Sequence, residues 1–292
     1  MQRIDHCLPW STLGTERTLS VFRFGEGGRK AYIQASLHAD ELPGMRTAWE
    51  LKKRLTQLEE QGLLNGVIEL VPVANPIGLG QLLQGNHQGR FEYGSGKNFN
   101  RDFTELSEPV AERLAGKLGD DAHANVKLIR QAMVDVLDQL PPAGSELAGM
   151  QRVLLSHACT ADIVLDLHCD TDASLHMYAL PQHWPQWRSL SAHLGVSVGL
   201  LAEDSGGSSF DEACSLPWLR LAKQFTDAQI PLACMSTTLE LGGQTNTGKA
   251  DAEAYAEGIL AFLAEHGLIS GEWPQPAFEA CEGMPFEGTE MI

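Results

Sequence analysis

Three short stretches of this chain, residues 67–73, 162–167 and 233–241, are dominated by apolar strand formers and bounded by turn residues. Runs of that length and composition suit strands covered on both faces, and burying both faces of a sheet requires helices on each side of it. The segments between them supply those helices. Ala48, Leu51, Leu55 and Leu58 recur at helical spacing within 45–58, and Val126, Ile129, Met133, Val136, Leu137 and Leu140 do so within 122–140. Further helices are predicted from Ser107 onward and over 146–157, 190–195, 216–228 and 252–267, with strands over 18–24, 30–37 and 175–180. Glycines at 25–28 predict a hairpin joining the first two of these strands. Strands interleaved with helices define an α/β fold: three αβα layers around a mixed, mostly parallel central sheet. Residues 1–269 are expected to form one catalytic domain. The Pro-, Gly- and Glu-rich stretch 270–292 is expected to be a linker and the start of a truncated C-terminal β domain.

Polar residues interrupt the apolar pattern where strands end. His38 and Glu41 fall on the connection between the strand at 30–37 and the helix at 45–58, His168 follows the run at 162–167, and Glu240 lies within the run at 233–241. Imidazole and carboxylate are good zinc ligands, and a catalytic zinc takes three protein ligands and leaves one position open. Two histidines and a glutamate match the ligand set of several zinc hydrolases. A further glutamate beside the open position serves as general base toward a water whose pKa zinc can bring to about 7. An unpaired carboxylate in an apolar strand is costly to bury, which makes Glu240 more informative than a surface glutamate. Asp40 or Asp170 is placed to orient a ligand imidazole. The irregular segment 81–102 adds Arg90, Asn98, Asn100 and Arg101, and guanidinium forks suit a carboxylate or a developing oxyanion. An anionic substrate is therefore expected.

Four ordered motifs carry a resemblance: H-x-D-E at 38–41, N-F-N-R at 98–101, D-L-H ending in His168, and T-L-E-L-G-G around Glu240. They resemble the zinc carboxypeptidase superfamily, and within it the succinylglutamate desuccinylase and aspartoacylase family. The resemblance spans roughly residues 30–245 and implies one Zn2+ per chain, with His38, Glu41 and His168 as ligands. It implies Glu240 as general base and proton shuttle, Arg90 as the group that polarises the scissile carbonyl, and Asn100 and Arg101 as the clamp on a substrate carboxylate. The segment 205–212 resembles a loop beside the family's substrate pocket. The implied activity is hydrolysis of the amide bond of a small anionic N-acylated amino acid. A carboxypeptidase acting on short peptides or peptidoglycan fragments shares the same zinc chemistry, and a metal-bearing but inactive binding module is the alternative outside enzymology.

Charge and composition narrow the partners. Lys plus Arg number 21 against 38 Asp plus Glu, a net charge of −17, which excludes a general nucleic-acid or anionic-membrane surface. The absence of an N-terminal signal pattern and of a long apolar run points to a cytoplasmic protein. Six scattered cysteines without a C-x-x-C pair read as free thiols. His87, His157, His176 and His193 read as ordinary polar or core histidines, and Trp184 and Trp187 as helix packing.

Overall fold

The computed structural model describes residues 1–286. In chain order the elements begin with β1 (Gln2–Cys7), β2 (Thr18–Phe24), β3 (Lys30–Ala35), α1 (Leu42–Glu60), β4 (Val67–Val71) and α2 (Pro76–Leu79). A two-residue ribbon of β5 (Leu82–Leu83) and β6 (Asn86–His87) follows, then α3 (Ser107–Leu114), α4 (Ala122–Asp138) and α5 (Glu146–Ala158). The chain continues through β7 (Ile163–Asp170), β8 (His176–Ala179), α6 (Trp184–Leu194), β9 (Val198–Leu201) and α7 (Phe210–Gln224). It closes with β10 (Met235–Gly243), α8 (Lys249–Glu265) and β11 (Gly283–Pro285).

Nine strands form one sheet in the order β1-β2-β4-β3-β7-β10-β8-β9-β11. The centre, β4-β3-β7-β10, is parallel throughout, and antiparallel pairs join β2 to β4, β1 to β2 and β8 to β10. Alternation along the strands sends successive side chains to opposite faces. Ile33, Leu165, Leu167, Leu239 and Leu241 pack under α1, α6 and α8 against Leu51, Leu55, Trp187, Ile259 and Leu260. Tyr32, Val71 and Val164 face the other layer, with Ile129, Met133, Leu154, Phe210 and Trp218 from α4, α5 and α7. The two apolar clusters on opposite sides of the sheet make the three-layer αβα fold, with the expected mixed, mostly parallel sheet.

Several local expectations are corrected. β2 and β3 form no hairpin, because β4 lies between them, antiparallel to β2 and parallel to β3. The glycine turn that suggested the hairpin instead folds onto the start of β4: a Cβ on Gly25 would stand 2.3 Å from the carbonyl oxygen of Gly66. α6 begins at Trp184, six residues before the expected start, and Trp187 stacks on Phe262 at 5.4 Å between ring centroids. α7 begins at Phe210 and runs through Pro217, where the helix was expected to start at Leu216. β1 and β9 lack a strong apolar signature because they lie toward the sheet's edges. Part of the C-terminal stretch read as a linker pairs in parallel with β9 as β11. Its last residues, 287–292, lie outside the described residues. No helix among the described residues is long and apolar enough to cross a membrane. The six cysteines are free, as expected.

The first turn of α1 sits directly on the end of β7. A Cβ at Gly44 would come within 2.6 Å of the Leu167 carbonyl oxygen, so only glycine allows this approach. Gly44→Ala is expected to lower stability by about 1–3 kcal/mol, the cost of overpacking a close contact. Urea denaturation checks this, and a loss below about 0.5 kcal/mol would show that the helix can shift freely.

Candidate metal centre

The carboxyl ends of the three adjacent parallel strands β3, β7 and β10 bring the candidate residues together. Ligand sites in open α/β sheets are built at such strand ends. After β3 the backbone turns through Ser36 at a positive φ of 66°. The following loop delivers His38, and Glu41 stands immediately before α1. Asn75 secures this loop by donating from Nδ2 to the Leu37 carbonyl oxygen at 2.8 Å. The segment carrying Gly89 crosses over it at backbone contact: a Cβ there would meet the Asp40 nitrogen at 2.1 Å. Ala39 N donates to the Gly89 carbonyl oxygen at 3.1 Å, and the next residue, Arg90, reaches Glu41 Oε1 with Nη2 at 3.2 Å.

His38, Glu41 and His168 are all buried, and one donor atom from each lies within 4.8 Å of the others. Their hydrogen-bond partners define the protonation pattern. His38 Nε2 is 2.8 Å from Asn98 Oδ1, and that oxygen also accepts from Asn100 N at 2.8 Å, which fixes the amide with its oxygen toward the ring. His168 Nε2 faces Asp166 Oδ2 at 3.0 Å, close enough for strong attraction though poorly aligned for a hydrogen bond. Each Nε2 therefore meets an acceptor and carries the proton, which leaves the lone pair of a neutral ring on Nδ1. Both Nδ1 atoms in turn lie 2.8 Å from the Glu41 carboxylate, His38 on Oε1 and His168 on Oε2. Two acceptor pairs at that distance require a positive charge between them. A bound cation meets that need at both contacts, so the residues present fit a metal ion with two Nδ1 atoms and one carboxylate as donors.

The surrounding charges favour positive charge at this point. Burial would raise the Glu41 pKa, but His168 and His38 outweigh it and hold the carboxyl ionised, far below its usual range. Burial acts on His168 in the opposite sense, and Asp166 and Glu41 overcome it to raise that pKa well above the ordinary imidazole value. Asp166 is itself held: Gln34 Nε2 donates to Oδ1 at 2.9 Å, and Tyr32 Oη donates to Gln34 Oε1 at 2.9 Å.

Glu240 stands on β10 directly opposite His168. Its Oε2 is buried without a partner among the described residues. Burial pushes its pKa up to about 7, aided by the charges of Glu41 and Asp170 and opposed by His168 and Arg90. A carboxyl poised near neutrality can take a proton and return it within one turnover.

A cavity of ≈ 390 Å³ opens beside these groups and is lined by His38, His168, Glu240, Arg90, Asn100 and Arg101. The structure thus gathers all seven sequence-derived residues at one place, with Glu41 beneath the cavity as the bridge between the two histidines. Asn100 is also structural, since its Oδ1 accepts from Phe210 N at 2.8 Å and ties the segment to the start of α7. Arg101 packs its side chain over Gly207 and donates from Nη1 to the Asn100 carbonyl oxygen at 2.7 Å.

The imidazole-orienting residues differ from expectation. Asp170 is exposed and its Oδ1 accepts from Thr171 N, while Asp40 Oδ1 is buried without a partner among the described residues. Asp166 and Asn98 occupy the positions foreseen for Asp40 or Asp170. The D-x-H spacing was a usable signal, because residues two apart on a strand share a face. Asn98 was singled out within N-F-N-R, but nothing local marked it as the partner of His38. Asp166→Asn is expected to weaken metal binding about 10–100-fold. A competitive chelator titration checks this, and unaltered affinity in a normally folded variant would remove Asp166 from the centre.

Comparison with known proteins gives the same direction. Residues 27–129 match the model of the succinylglutamate desuccinylase/aspartoacylase catalytic domain. No curated protein matches the chain in sequence. Among solved structures, a succinylglutamate desuccinylase/aspartoacylase family protein from Shewanella amazonensis is 30% identical with a TM-score of 0.84, over 98% of this chain and 78% of that one. A succinylglutamate desuccinylase/aspartoacylase from Shewanella frigidimarina is 26% identical with a TM-score of 0.85, over 98% and 77% respectively. The ectoine utilization protein EutE from Ruegeria pomeroyi, with product bound, shares the fold at 14% identity and a TM-score of 0.64, over 97% and 72%.

Proposed function

Since the chain belongs to the succinylglutamate desuccinylase/aspartoacylase family, we propose that it is a zinc-dependent deacylase that hydrolyses the amide bond of a small, carboxylate-bearing N-acyl amino acid in the cytoplasm. The observation that carries this reading is the convergence of two imidazole Nδ1 atoms on the Glu41 carboxylate beside a buried, partner-free Glu240 oxygen. His38, Glu41 and His168 are the residues that would hold one zinc per chain. When bound, the metal supplies Lewis-acid polarisation of the amide carbonyl and acidifies water.

The remaining work falls to the chain's own side chains. Arg101, whose guanidinium has no carboxylate partner among the described residues, receives the substrate carboxylate, with Asn100 beside it in the same cavity. Arg90 is half exposed and already extends over the metal loop, so its guanidinium can donate to the carbonyl oxygen as negative charge develops there. Glu240 accepts a proton from the attacking water at its carboxylate and delivers it to the departing amine nitrogen. Water and amide then become carboxylic acid and amine, which exchange a proton to leave carboxylate and ammonium. The cavity is formed within residues assigned to the catalytic unit, apart from Phe286, whose ring meets Tyr178 at 5.7 Å along the rim.

Elemental analysis of the purified protein and of a His38→Ala, His168→Ala double variant tests the reading at its base. About one zinc per chain is expected, lost in the variant. A wild type that takes up no metal on reconstitution would end the hydrolase proposal. Glu240→Gln is expected to retain metal while losing about 10²–10⁴-fold in turnover. Near-normal turnover in that variant would exclude Glu240 as the proton shuttle.

A further inference from the structure

The helix that follows the metal loop carries two apolar faces, and the core accounts for only one of them. Ala48, Leu51, Leu55 and Leu58 of α1 are buried against the sheet. Leu42, Met45, Trp49 and Lys52 recur at steps of three and four residues along another face. Trp49 is 53% exposed and Leu42 44%. With Phe22 of β2 and Pro72 and Val73 just beyond β4, this face forms an apolar groove of ≈ 680 Å³. That volume falls in the range of ligand pockets, and no residue lines both this groove and the metal cavity. The charges around it are positive. Arg46 and Lys52 line the groove and no carboxylate does, in a chain where 38 Asp and Glu stand against 21 Lys and Arg. The Lys52 ammonium forms no ion pair among the described residues. It lies 3.8 Å from the centroid of the Phe22 ring and 5.6 Å from that of Trp49. A ring face attracts a cation without neutralising it. Arg46 stands 3.9 Å from Glu50 Oε1, a carboxylate that also pairs with Lys53, so two cations share one negative charge.

An occupant that answers this surface is apolar along its length and anionic at one end. An anionic membrane would bring its charge against a protein of net charge −17. A second copy docked about a two-fold axis would bring a second set of the same cations to the contact. A single amphiphilic molecule meets neither obstacle. At 1.5 Å per residue the stripe from Leu42 to Lys52 is about 15 Å long, room for an alkyl chain of medium length. We propose that the groove binds a straight-chain alkyl carboxylate. Its chain lies along α1 against Leu42, Met45 and Trp49, and its carboxylate meets Lys52, with Arg46 adding positive potential along the same face. Met45 suits a flexible chain, since an unbranched thioether adapts to irregular apolar shapes. The groove stands apart from the deacylase chemistry and adjoins it in sequence only where Leu42 follows Glu41.

Calorimetric titration of the full chain with octanoate and decanoate tests this. Each added methylene is expected to tighten binding roughly two- to fourfold. Decyltrimethylammonium, with the same chain and the opposite charge, is expected to bind at least about tenfold more weakly than decanoate. Lys52→Gln is expected to weaken decanoate binding about five- to tenfold, and Trp49→Ser to remove most of the chain-length dependence, with the folding of both variants checked by thermal melting. Decanoate that fails to bind, or that binds no better than the decyl cation, would overturn the proposal. Binding unchanged in both variants would place the carboxylate in another cavity, such as the one lined by Arg101, and would overturn it as well. Sedimentation velocity of the unliganded chain completes the test. A dimer that Trp49→Ser converts to monomer would show a second copy on this face and displace the carboxylate from it. These outcomes are independent of metal content and of hydrolysis, so the deacylase reading stands or falls separately.

Discussion

Glu41 holds each of its two oxygens against an imidazole nitrogen, one from its own loop and one from the end of β7. That bridging carboxylate is the constraint on which the site depends. It can act as a bridge only if its charge survives burial, and burial alone would favour the neutral acid. The two histidines keep it ionised, and they are in turn oriented by Asn98 and Asp166. Gln34 and Tyr32 extend the chain of contacts along β3 into the core, so the positions of the metal-facing atoms are set by the register of β3 against β7. A slip of one residue would send these side chains to the opposite face of the sheet.

The same logic explains why so much chemistry occupies one end of the sheet. Parallel neighbours present their carboxyl ends together, and β3, β7 and β10 are consecutive in the sheet although far apart in sequence. Glycine makes the close approaches that complete the site. Gly44 seats α1 on β7, and Gly89 lets the arginine-bearing segment lie on the metal loop. Both approaches involve backbone atoms, where a side chain cannot simply rotate away.

The metal-facing residues were legible because they stand where apolar strand runs end, and an unpaired polar group beside such a run carries a penalty that demands a reason. The central strands were legible for the same physical cause: burial on both faces leaves a dense apolar pattern. Edge elements were not, since β1, β9 and β11 bury little and have no such pattern to show. The supposed hairpin failed because local turn chemistry says nothing about a strand inserted from later in the chain. The imidazole-orienting role of Asn98 was unrecognised for a related reason, being fixed by a contact with His38 sixty residues away. The start of α7 was placed six residues late, at Leu216 instead of Phe210.

The bond between Glu41 and His168 spans 127 residues of sequence. Contacts of that separation carry a large loop-closure cost and are assembled slowly during folding. The donor set is therefore incomplete until β3 and β7 have paired, and it is dispersed again when they part. Occupancy by the proposed metal would accordingly gauge whether the middle of the sheet is intact, and its loss on heating or in denaturant would date the rupture of that one strand pair.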